Sequence, residues 1–368
     1  MLCRLLTTLL LAAVAGRVSA ADFYLWQREH TPGVRRAVKE FHRLDRGRLL
    51  YLAGEIENNG KIIRVPVPEY LVKGASCAVI RIHVMEIRRS TAQALAEKAA
   101  GIFKVWRDAG CDELQIDLDA PERRIAYYTQ LMRELKKILP PGTKLSATVL
   151  PCHLDHQKEF ARLAASVDYF VLQLHYVQKK NGCTVLFDRG SACRAIAKAE
   201  KFRLPFKAAL PLYTQMIKGK FIMSDWQQVA DCGRFCAERN IPVIGFRLGN
   251  TGDRRAFDLE TARSILNGET FTPRLELSWK RDNSDTFILY IKNCGLLYLR
   301  AKADCLWQND MTIRDFDTLN GTLSDGSPEI KQLDILLPFP GEKHPVLWLK
   351  TSGNGIPELK LNIISKEQ

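Results

Sequence analysis

Three polar side chains alternate with aliphatic ones in residues 112–121, which read DELQIDLDAP. Successive side chains of an extended chain point to opposite faces, so Gln115, Asp117 and Asp119 share one face. Two carboxylates packed together raise the pKa of one of them, which suits a proton donor. Holding polar groups in a confined space costs free energy unless they form hydrogen bonds or take part in binding or catalysis. This row therefore predicts a site for acid–base chemistry.

The segments that would position this row alternate regularly along the chain. Eight strand-like segments alternate with helix-like segments over about 250 residues, with a hairpin-like insertion after the second strand, and this alternation is typical of a (β/α)8 TIM barrel. A doubly wound open sheet shares the alternation, but no Gly-rich dinucleotide-binding turn follows the first strand. We therefore predict an α/β fold of the TIM-barrel type, with strands over residues 23–27, 48–55, 77–84, 113–119, 144–149, 169–176, 206–212 and 243–249.

The character of the sequence changes near Pro273. Short strand-like runs follow, separated by Asp-Asn-Ser, Asn-Gly and Gly-Asn-Gly turns and without a helical period. This pattern predicts a small C-terminal β-sandwich. We expect a TIM-barrel domain over residues 21–270 and a β-sandwich domain over residues 271–368.

The first 20 residues have the pattern of a signal peptide. Arg4 supplies the positive region, residues 5–15 form an apolar run, and Val18-Ser19-Ala20 fits a cleavage site. The apolar run is too short to cross a bilayer, which takes about 20 helical residues, and no later stretch has the character of a transmembrane segment. We expect an exported protein, periplasmic or secreted after cleavage.

The chain is basic, with 54 Lys and Arg against 41 Asp and Glu. Loss of residues 1–20 would remove Arg4 and Arg17, leaving 52 basic and 41 acidic residues and a net charge of +11. This charge could attract an anionic envelope polymer, although basic residues scattered for solubility produce the same total. No basic run is interleaved with aromatics and no recognition motif is present, which argues against nucleic acid as a partner.

Polar side chains are predicted to converge at one end of the barrel. Catalysis in TIM barrels takes place at the C-terminal ends of the strands, and barrel interiors are otherwise filled by branched aliphatic residues. Polar inward groups from at least five strands therefore indicate a site. The candidates selected by the period of two are Trp26, Glu55, His83, Gln115, Asp117, Asp119, Gln173, His175, Tyr213 and Arg247.

We expect neither a metal nor a cofactor. The chain has no C-x-x-C pair for a zinc ribbon. The segment Cys152-His153-Leu154-Asp155-His156 could hold a metal. We favour Asp155 as the N-cap of a helix, with both histidines facing solvent.

The row of residues 112–121 resembles the fourth-strand signature of the chitinase family of glycoside hydrolases, D-x-x-D-x-D-x-E. The resemblance implies that Asp119 is the general acid and that Asp117 orients the N-acetyl group of the substrate. Gln115 stands where that family has Asp, and Asp119 where it has the catalytic Glu. The family's sixth-strand Tyr-Asp is also replaced, by Gln173-Leu174-His175-Tyr176.

Residues 22–270 also resemble an exported bacterial domain-of-unknown-function family with a glycosidase-like barrel. The shared features are the opening Phe23-Tyr24-x-Trp26-Gln27-Arg28, the Asp-Leu-Asp strand and the strand Tyr-Phe-Val-Leu-Gln-x-His. This resemblance implies the barrel fold and a carbohydrate polymer or oligosaccharide as the partner.

The spacing of the two acids restricts the mechanism. Two residues apart on one strand, Asp117 and Asp119 have Cα atoms about 6.6–6.8 Å apart and approach a substrate from one side. Glycosidase carboxylates that act together flank the scissile bond. Either the acetamido group of the substrate attacks, or a second carboxylate comes from another strand, for which Glu55 is the candidate.

Two functions remain open from the sequence. The first is a glycoside hydrolase-like enzyme that cleaves an envelope or extracellular glycan by acid-assisted chemistry. The second is a non-catalytic glycan-binding or envelope scaffold protein on a degenerate barrel. A perturbed carboxylate in an open cleft favours the enzyme. A filled barrel mouth, with the two aspartates tied to Arg81 or Arg247, favours the scaffold.

Overall fold

The computed structural model describes residues 21–44, 47–180, 183–217, 220–250, 253, 255–269, 275–294, 300–308, 312–319, 322–325, 330–336, 342–352 and 358–364. The expected signal peptide, residues 1–20, lies outside the described residues. The chain divides into two compact units, Met1–Glu269 and Thr270–Gln368.

The first unit is a closed parallel barrel. Each strand pairs with the next around the ring, and pairing of the first strand with the second and the last closes it. The predicted TIM barrel is thereby confirmed. In chain order its strands are β1 (Asp22–Leu25), β2 (Leu49–Ile56), β3 (Ile62–Arg64), β4 (Ser76–Ile82), β5 (Glu113–Asp117), β6 (Lys144–Val149), β7 (Tyr169–Gln173), β8 (Gln178–Lys180), β9 (Cys183–Val185), β10 (Phe206–Pro211), β11 (Thr214–Ile217), β12 (Lys220–Met223) and β13 (Val243–Phe246).

Eight of these strands form the ring, in the order β1-β2-β4-β5-β6-β7-β10-β13. The other strands are short antiparallel additions. Strand β3 makes a hairpin with β2. The pairs β8–β9 and β11–β12 are hairpins that follow β7 and β10, on the side where the strands end.

Helices follow the strands of the ring except β2, which is followed by β3. Side-chain caps fix several helix starts, because a capping oxygen accepts a backbone N–H that has no partner inside the helix. Thr91 caps the second helix, and Asp188, Asp225 and Asp258 cap the last three. The helices are α1 (Pro32–Leu44), α2 (Ala92–Asp108), α3 (Ile125–Ile138), α4 (Gln157–Ala164), α5 (Arg189–Glu200), α6 (Trp226–Ala237) and α7 (Leu259–Leu266).

A β-bulge in β2 changes which side chains point into the ring. Leu52 pairs with Val79, but Glu55 pairs with Arg81, so Ala53 is an extra residue without a counterpart on β4. An extra residue reverses the alternation of faces beyond it. Glu55 therefore shares the inward side with Arg81, whereas strict alternation from Leu52 would have placed Glu55 outward.

At the end of the barrel where the parallel strands begin, a polar network surrounds Glu113, the first residue of β5. The Glu113 side chain is 1% exposed and lies 3.3 Å from Nη1 of Arg48. It also accepts hydrogen bonds from the hydroxyls of Ser146 and Tyr169. Arg48 continues the network to Asp112 at 2.6 Å. A buried carboxylate is tolerated here because it has both a cation and hydrogen-bond donors.

The second unit is antiparallel. It has two four-stranded sheets, ordered β14-β15-β20-β17 and β18-β19-β16-β21, which fit the predicted small β-sandwich. Buried side chains of β15, among them Phe287, Leu289 and Ile291, alternate with half-buried ones. The strands are β14 (Leu275–Arg281), β15 (Thr286–Asn293), β16 (Arg300–Gln308), β17 (Thr312–Thr318), β18 (Thr322–Asp325), β19 (Ile330–Leu336), β20 (Lys343–Ser352) and β21 (Glu358–Ile364).

No helix among the described residues combines the length and the apolar character needed to cross a membrane.

Candidate active site

A cavity of about 720 Å³ opens at the end of the barrel where the parallel strands finish. Both candidate acids, Asp117 and Asp119, lie in its wall. So do five other predicted residues, namely Trp26, Gln173, His175, Tyr213 and Arg247. Strands β1, β5, β7, β10 and β13, or the residues directly after them, thus contribute to one hollow.

Asp117 ends β5 and is half-buried. Its Oδ1 accepts a hydrogen bond of 2.9 Å from the Thr148 hydroxyl, which in turn accepts the Leu118 N–H at 3.3 Å. Burial and the neighbouring charge of Asp119 raise the pKa of Asp117 to about 6, against the opposing effects of Thr148 and Arg81. Asp117 is therefore a carboxyl that holds its proton into the mildly acidic range.

Asp119 lies two residues beyond the end of β5 and is exposed to the cavity. Among the described residues it has no hydrogen-bond or ion-pair partner. Desolvation by the surrounding wall raises the pKa of Asp119, while the fields of Arg81 and His153 oppose this rise. Asp119 is therefore the acid that a ligand can reach, and Asp117 is the more strongly shifted of the pair.

His153 fixes the segment that carries Asp119. Its Nε2–H donates to the Ala120 carbonyl at 2.7 Å, and its Nδ1 accepts the Leu150 N–H at 3.2 Å. Both ring nitrogens are thus used by a neutral imidazole, and burial lowers the pKa of His153. The expectation that this histidine faces solvent was wrong, since His153 is fully buried. In the described part of the chain no group of three metal-binding side chains occurs.

Five ring systems pack together at the floor of the cavity, with Phe246 in the middle. The imidazole of His175 stacks on Phe246 with ring centroids 4.6 Å apart. Tyr24, Trp26 and Tyr213 contact the same ring at 5.5, 5.3 and 5.4 Å. Burial lowers the pKa of His175 to about 4, so this histidine is neutral at physiological pH. The cluster gives the cavity an apolar, aromatic floor.

Three arginines also line the cavity. Arg247 is held by Asp253, with Nη1 2.7 Å from Oδ2. Neither Arg81 nor Arg255 forms a side-chain ion pair or hydrogen bond with another residue in the described ranges, and both side chains are exposed. Arg81 lies beside the acids, since it is paired in register with Asp117. The mouth is therefore open, and the aspartates are not tied to an arginine.

Three predicted site residues are placed away from the cavity lining. Glu55 faces inward but accepts two hydrogen bonds from Arg28, at 2.6 and 3.0 Å, which occupy both carboxylate oxygens. Gln115 lies one layer deeper and is fully buried between Tyr24 at 2.5 Å and Ser146 at 3.1 Å. His83 follows the end of β4, is exposed, and accepts the Met85 N–H.

Several lining residues were missing from the predicted set. Arg81 follows the inward Cys77 and Val79 at the same spacing of two, so the alternation could have found it. Thr148 and Phe246 also continue inward rows, but neither residue type suggested chemistry. Arg255 is on a loop, where no strand periodicity exists to select it.

Replacement of Asp117 by Asn should stabilise the protein at neutral pH. An unfolded aspartate titrates near 3.9, so a folded pKa of about 6 penalises folding as pH rises from about 4 through 6. Two pKa units correspond to about 3 kcal/mol at most, and partial hydration reduces this to about 1–2 kcal/mol. We expect Asp117→Asn to gain that much at pH 7.5 and almost nothing at pH 3.5, measured by urea denaturation. The same gain at both pH values would contradict the raised pKa.

The comparisons with known proteins agree with the family resemblance. Residues 74–226 match the model of a domain of unknown function (DUF3142), which confirms the resemblance to a domain-of-unknown-function family. A search of curated proteins finds no match.

Solved structures with a similar chain trace include the spore cortex-lytic enzyme SleL of Bacillus cereus, at 13% identity and a TM-score of 0.49, covering 69% of this chain and 76% of that one. The chitinase RmChi1 of Rhizomucor miehei has 12% identity and a TM-score of 0.44, covering 68% and 99%. A chitinase-like lectin of tamarind has 12% identity and a TM-score of 0.41, with the same coverage. Identities this low carry no information about activity or substrate.

Proposed function

We propose that the barrel cleaves glycosidic bonds of an N-acetylated glycan, with Asp119 as the proton donor. The observation that carries this proposal is the exposed, unpartnered carboxyl of Asp119, beside a carboxyl of raised pKa in an open cavity. A carboxyl with a raised pKa can deliver a proton near neutral pH. A cavity of about 720 Å³ is in the range of ligand-binding clefts.

The two acids have different roles in this proposal. Asp119 projects into the cavity and can approach the glycosidic oxygen. Asp117 is held by Thr148 and holds its own proton up to about pH 6. The charges of two close carboxyls are coupled, so the pair titrates as a unit. Burial raises the pKa of Asp119 itself, which favours the protonated form that a donor needs.

The nucleophile in this proposal is the acetamido group of the substrate. Within the described lining of the cavity, the carboxylates are Asp117 and Asp119 alone. Glu55 is occupied by Arg28 and does not line the cavity, which argues against it as a second catalytic carboxylate. The acetamido oxygen attacks the anomeric carbon while Asp119 protonates the leaving oxygen. Water then attacks the anomeric carbon and opens the five-membered ring that the acetamido group has formed. The proton of that water returns to Asp119.

In this proposal the residues at the floor of the cavity bind the sugar. Aromatic rings such as Trp26 and Tyr213 offer faces for sugar rings, while Gln173 offers an amide. The Oε1 atom of Gln173 is buried and has no hydrogen-bond donor among the described residues. A sugar hydroxyl or acetamido N–H would satisfy it.

The proposal includes an extracytoplasmic glycan as substrate, because residues 1–20 have the pattern of a signal peptide. The second candidate is a glycan-binding protein without chemistry. It is favoured by the fact that the aromatic floor and Gln173 require no acid to bind a sugar.

A reducing-end assay on the purified protein separates these candidates. Chitin oligosaccharides, peptidoglycan fragments and hyaluronan oligosaccharides cover the main N-acetylated linkages. The enzyme hypothesis predicts new reducing ends from at least one of them at pH 5–6, released about 10³-fold more slowly by the Asp119→Asn variant. Binding of a glycan without release of reducing ends by the wild type would support the second candidate.

A further inference from the structure

A cationic side chain lines the cavity away from β5, the strand that leads to the two acids. The Arg255 backbone bonds to Thr214, directly after β10, and β10 is three strands from β5 around the ring of eight. The Arg255 side chain is exposed and lines the cavity. A ligand that contacts both Asp119 and Arg255 must therefore span several strands of the ring.

The backbone around Arg255 is held firmly. The Arg255 N–H donates to Oδ1 of Asp253 at 2.9 Å. The Arg255 carbonyl accepts the Thr214 N–H at 2.7 Å. The next residue, Ala256, forms an antiparallel bridge with Tyr213. The guanidinium therefore extends from a fixed point at the rim, beside the end of β10.

The carboxylate closest to Arg255 in the sequence, that of Asp253, already has partners. Asp253 directs Oδ2 to Arg247 at 2.7 Å and uses Oδ1 for the Arg255 N–H. Among the described residues, no carboxylate pairs with the Arg255 guanidinium. Arg81 is likewise without an ion pair among the described residues, but it is paired in register with Asp117 and lies beside the acids. Arg255 is therefore the unpaired arginine of the cavity lining that lies away from the acids.

We propose that Arg255 forms a subsite for a carboxylate on the glycan, so that the substrate class is an acidic, carboxylate-bearing glycan. An arginine side chain presents a planar pair of N–H donors that matches a carboxylate. The separation of Arg255 from β5 keeps the ligand's charge away from Asp119, where it would repel the carboxylate form. The net positive charge of the chain, +13, would add long-range attraction for such a polymer.

The assignment as a substrate subsite rests on the proposed glycan cleavage, but the binding of the carboxylate does not. Carboxylates in N-acetylated glycans come from uronic acids or from lactyl ethers, and both present the same group to Arg255. The experiment therefore has two arms. One compares a hyaluronan hexasaccharide with its carboxyl-reduced form. The other compares an N-acetylglucosamine–N-acetylmuramic acid tetrasaccharide with its methyl ester.

Binding is measured by calorimetry with Asp119→Asn protein, which removes the proposed proton donor and keeps the probes intact. In at least one arm the carboxylate form should bind about tenfold or more tightly than its neutral partner, since hydrogen bonds between charged groups are the stronger ones. Arg255→Gln should abolish most of this preference, and Arg255→Lys should keep part of it. Arg36→Gln, an exposed change on α1 with the same loss of charge, should leave the preference intact.

Equal affinity within both pairs, absence of binding by both acidic probes, or a preference that survives Arg255→Gln would overturn the subsite. The proposed cleavage fails separately, if the wild type binds the acidic probe through Arg255 but releases no reducing ends from it. Conversely, cleavage of neutral and acidic glycans at equal rates would leave the enzyme intact and remove the subsite.

Discussion

The Asp119→Asn variant is expected to lose about 10³-fold in turnover while its affinity for the glycan changes little. General acid catalysis by a positioned side chain contributes about 10²–10⁴-fold, and an amide cannot donate the proton that the leaving oxygen needs. Asp119 makes no hydrogen bond within the described structure, so its replacement breaks no contact that holds the fold. Turnover is measured by release of reducing ends, and affinity by calorimetry.

Asp108→Asn is the matched control for this experiment. Asp108 ends α2, is exposed, and pairs with Arg107 at 2.7 Å and Lys104 at 3.3 Å. The same chemical change there should leave turnover and affinity unaltered. Equal losses in both variants would indicate a general effect of charge, and an unchanged rate in Asp119→Asn would remove Asp119 from the mechanism.

The Arg48→Met variant is expected to lose about 3–5 kcal/mol of unfolding free energy, because breaking a buried pair leaves the other charge uncompensated. Glu113 would stay at the base of the barrel with its hydrogen bonds from Ser146 and Tyr169 but without its nearest cation. At roughly 2–4 °C per kcal/mol for a unit of this size, the melting temperature should fall by about ten degrees. Thermal and urea denaturation measure both quantities.

The double variant Arg48→Met/Glu113→Gln should recover most of this loss, since a neutral amide can still accept from Ser146 and Tyr169. Arg107→Met, which removes an arginine from an exposed pair, should cost less than about 1 kcal/mol. A single variant as stable as the wild type, or a double variant no better than Arg48→Met, would show that the cation does not stabilise the base.

The fold was largely readable because its signals are local. Apolar strands alternate with capped helices, and each of the eight strands in the ring overlaps a predicted segment. The predicted N-cap Asp155 was wrong, because α4 begins at Gln157 with His156 at its N-cap position, and Asp155 pairs with Lys198 instead. The hairpins β8–β9 and β11–β12 were not predicted. Their strands are three or four residues long and too short to show a period.

The depth of a residue in the barrel could not be read from the sequence. Alternation gives the face of a strand but not the layer, so Gln115 and Asp117 were indistinguishable as candidates. The structure places Gln115 in a closed polar layer with Tyr24 and Ser146, and Asp117 in the cavity wall.

Partners that are distant in sequence also escaped prediction. Arg28, which occupies Glu55, is 27 residues away from it. His153, which fixes the segment of Asp119 through the Ala120 carbonyl, is 33 residues from Ala120. Loop residues such as Arg255 carry no periodic signal at all. The row of acids on β5 was therefore visible in the sequence, while the groups that position and limit these acids became visible only in the structure.

Digestion of a chitin, peptidoglycan or hyaluronan oligosaccharide at pH 5.5, followed by proton NMR of the anomeric signals, tests the central claim most directly. It reports cleavage and stereochemistry together. At least one of these glycans should be cleaved, the first product should keep the anomeric configuration of the substrate, and Asp119→Asn should form product about 10³-fold more slowly. Absence of cleavage across all three glycans, or identical product formation by the variant, would contradict this claim.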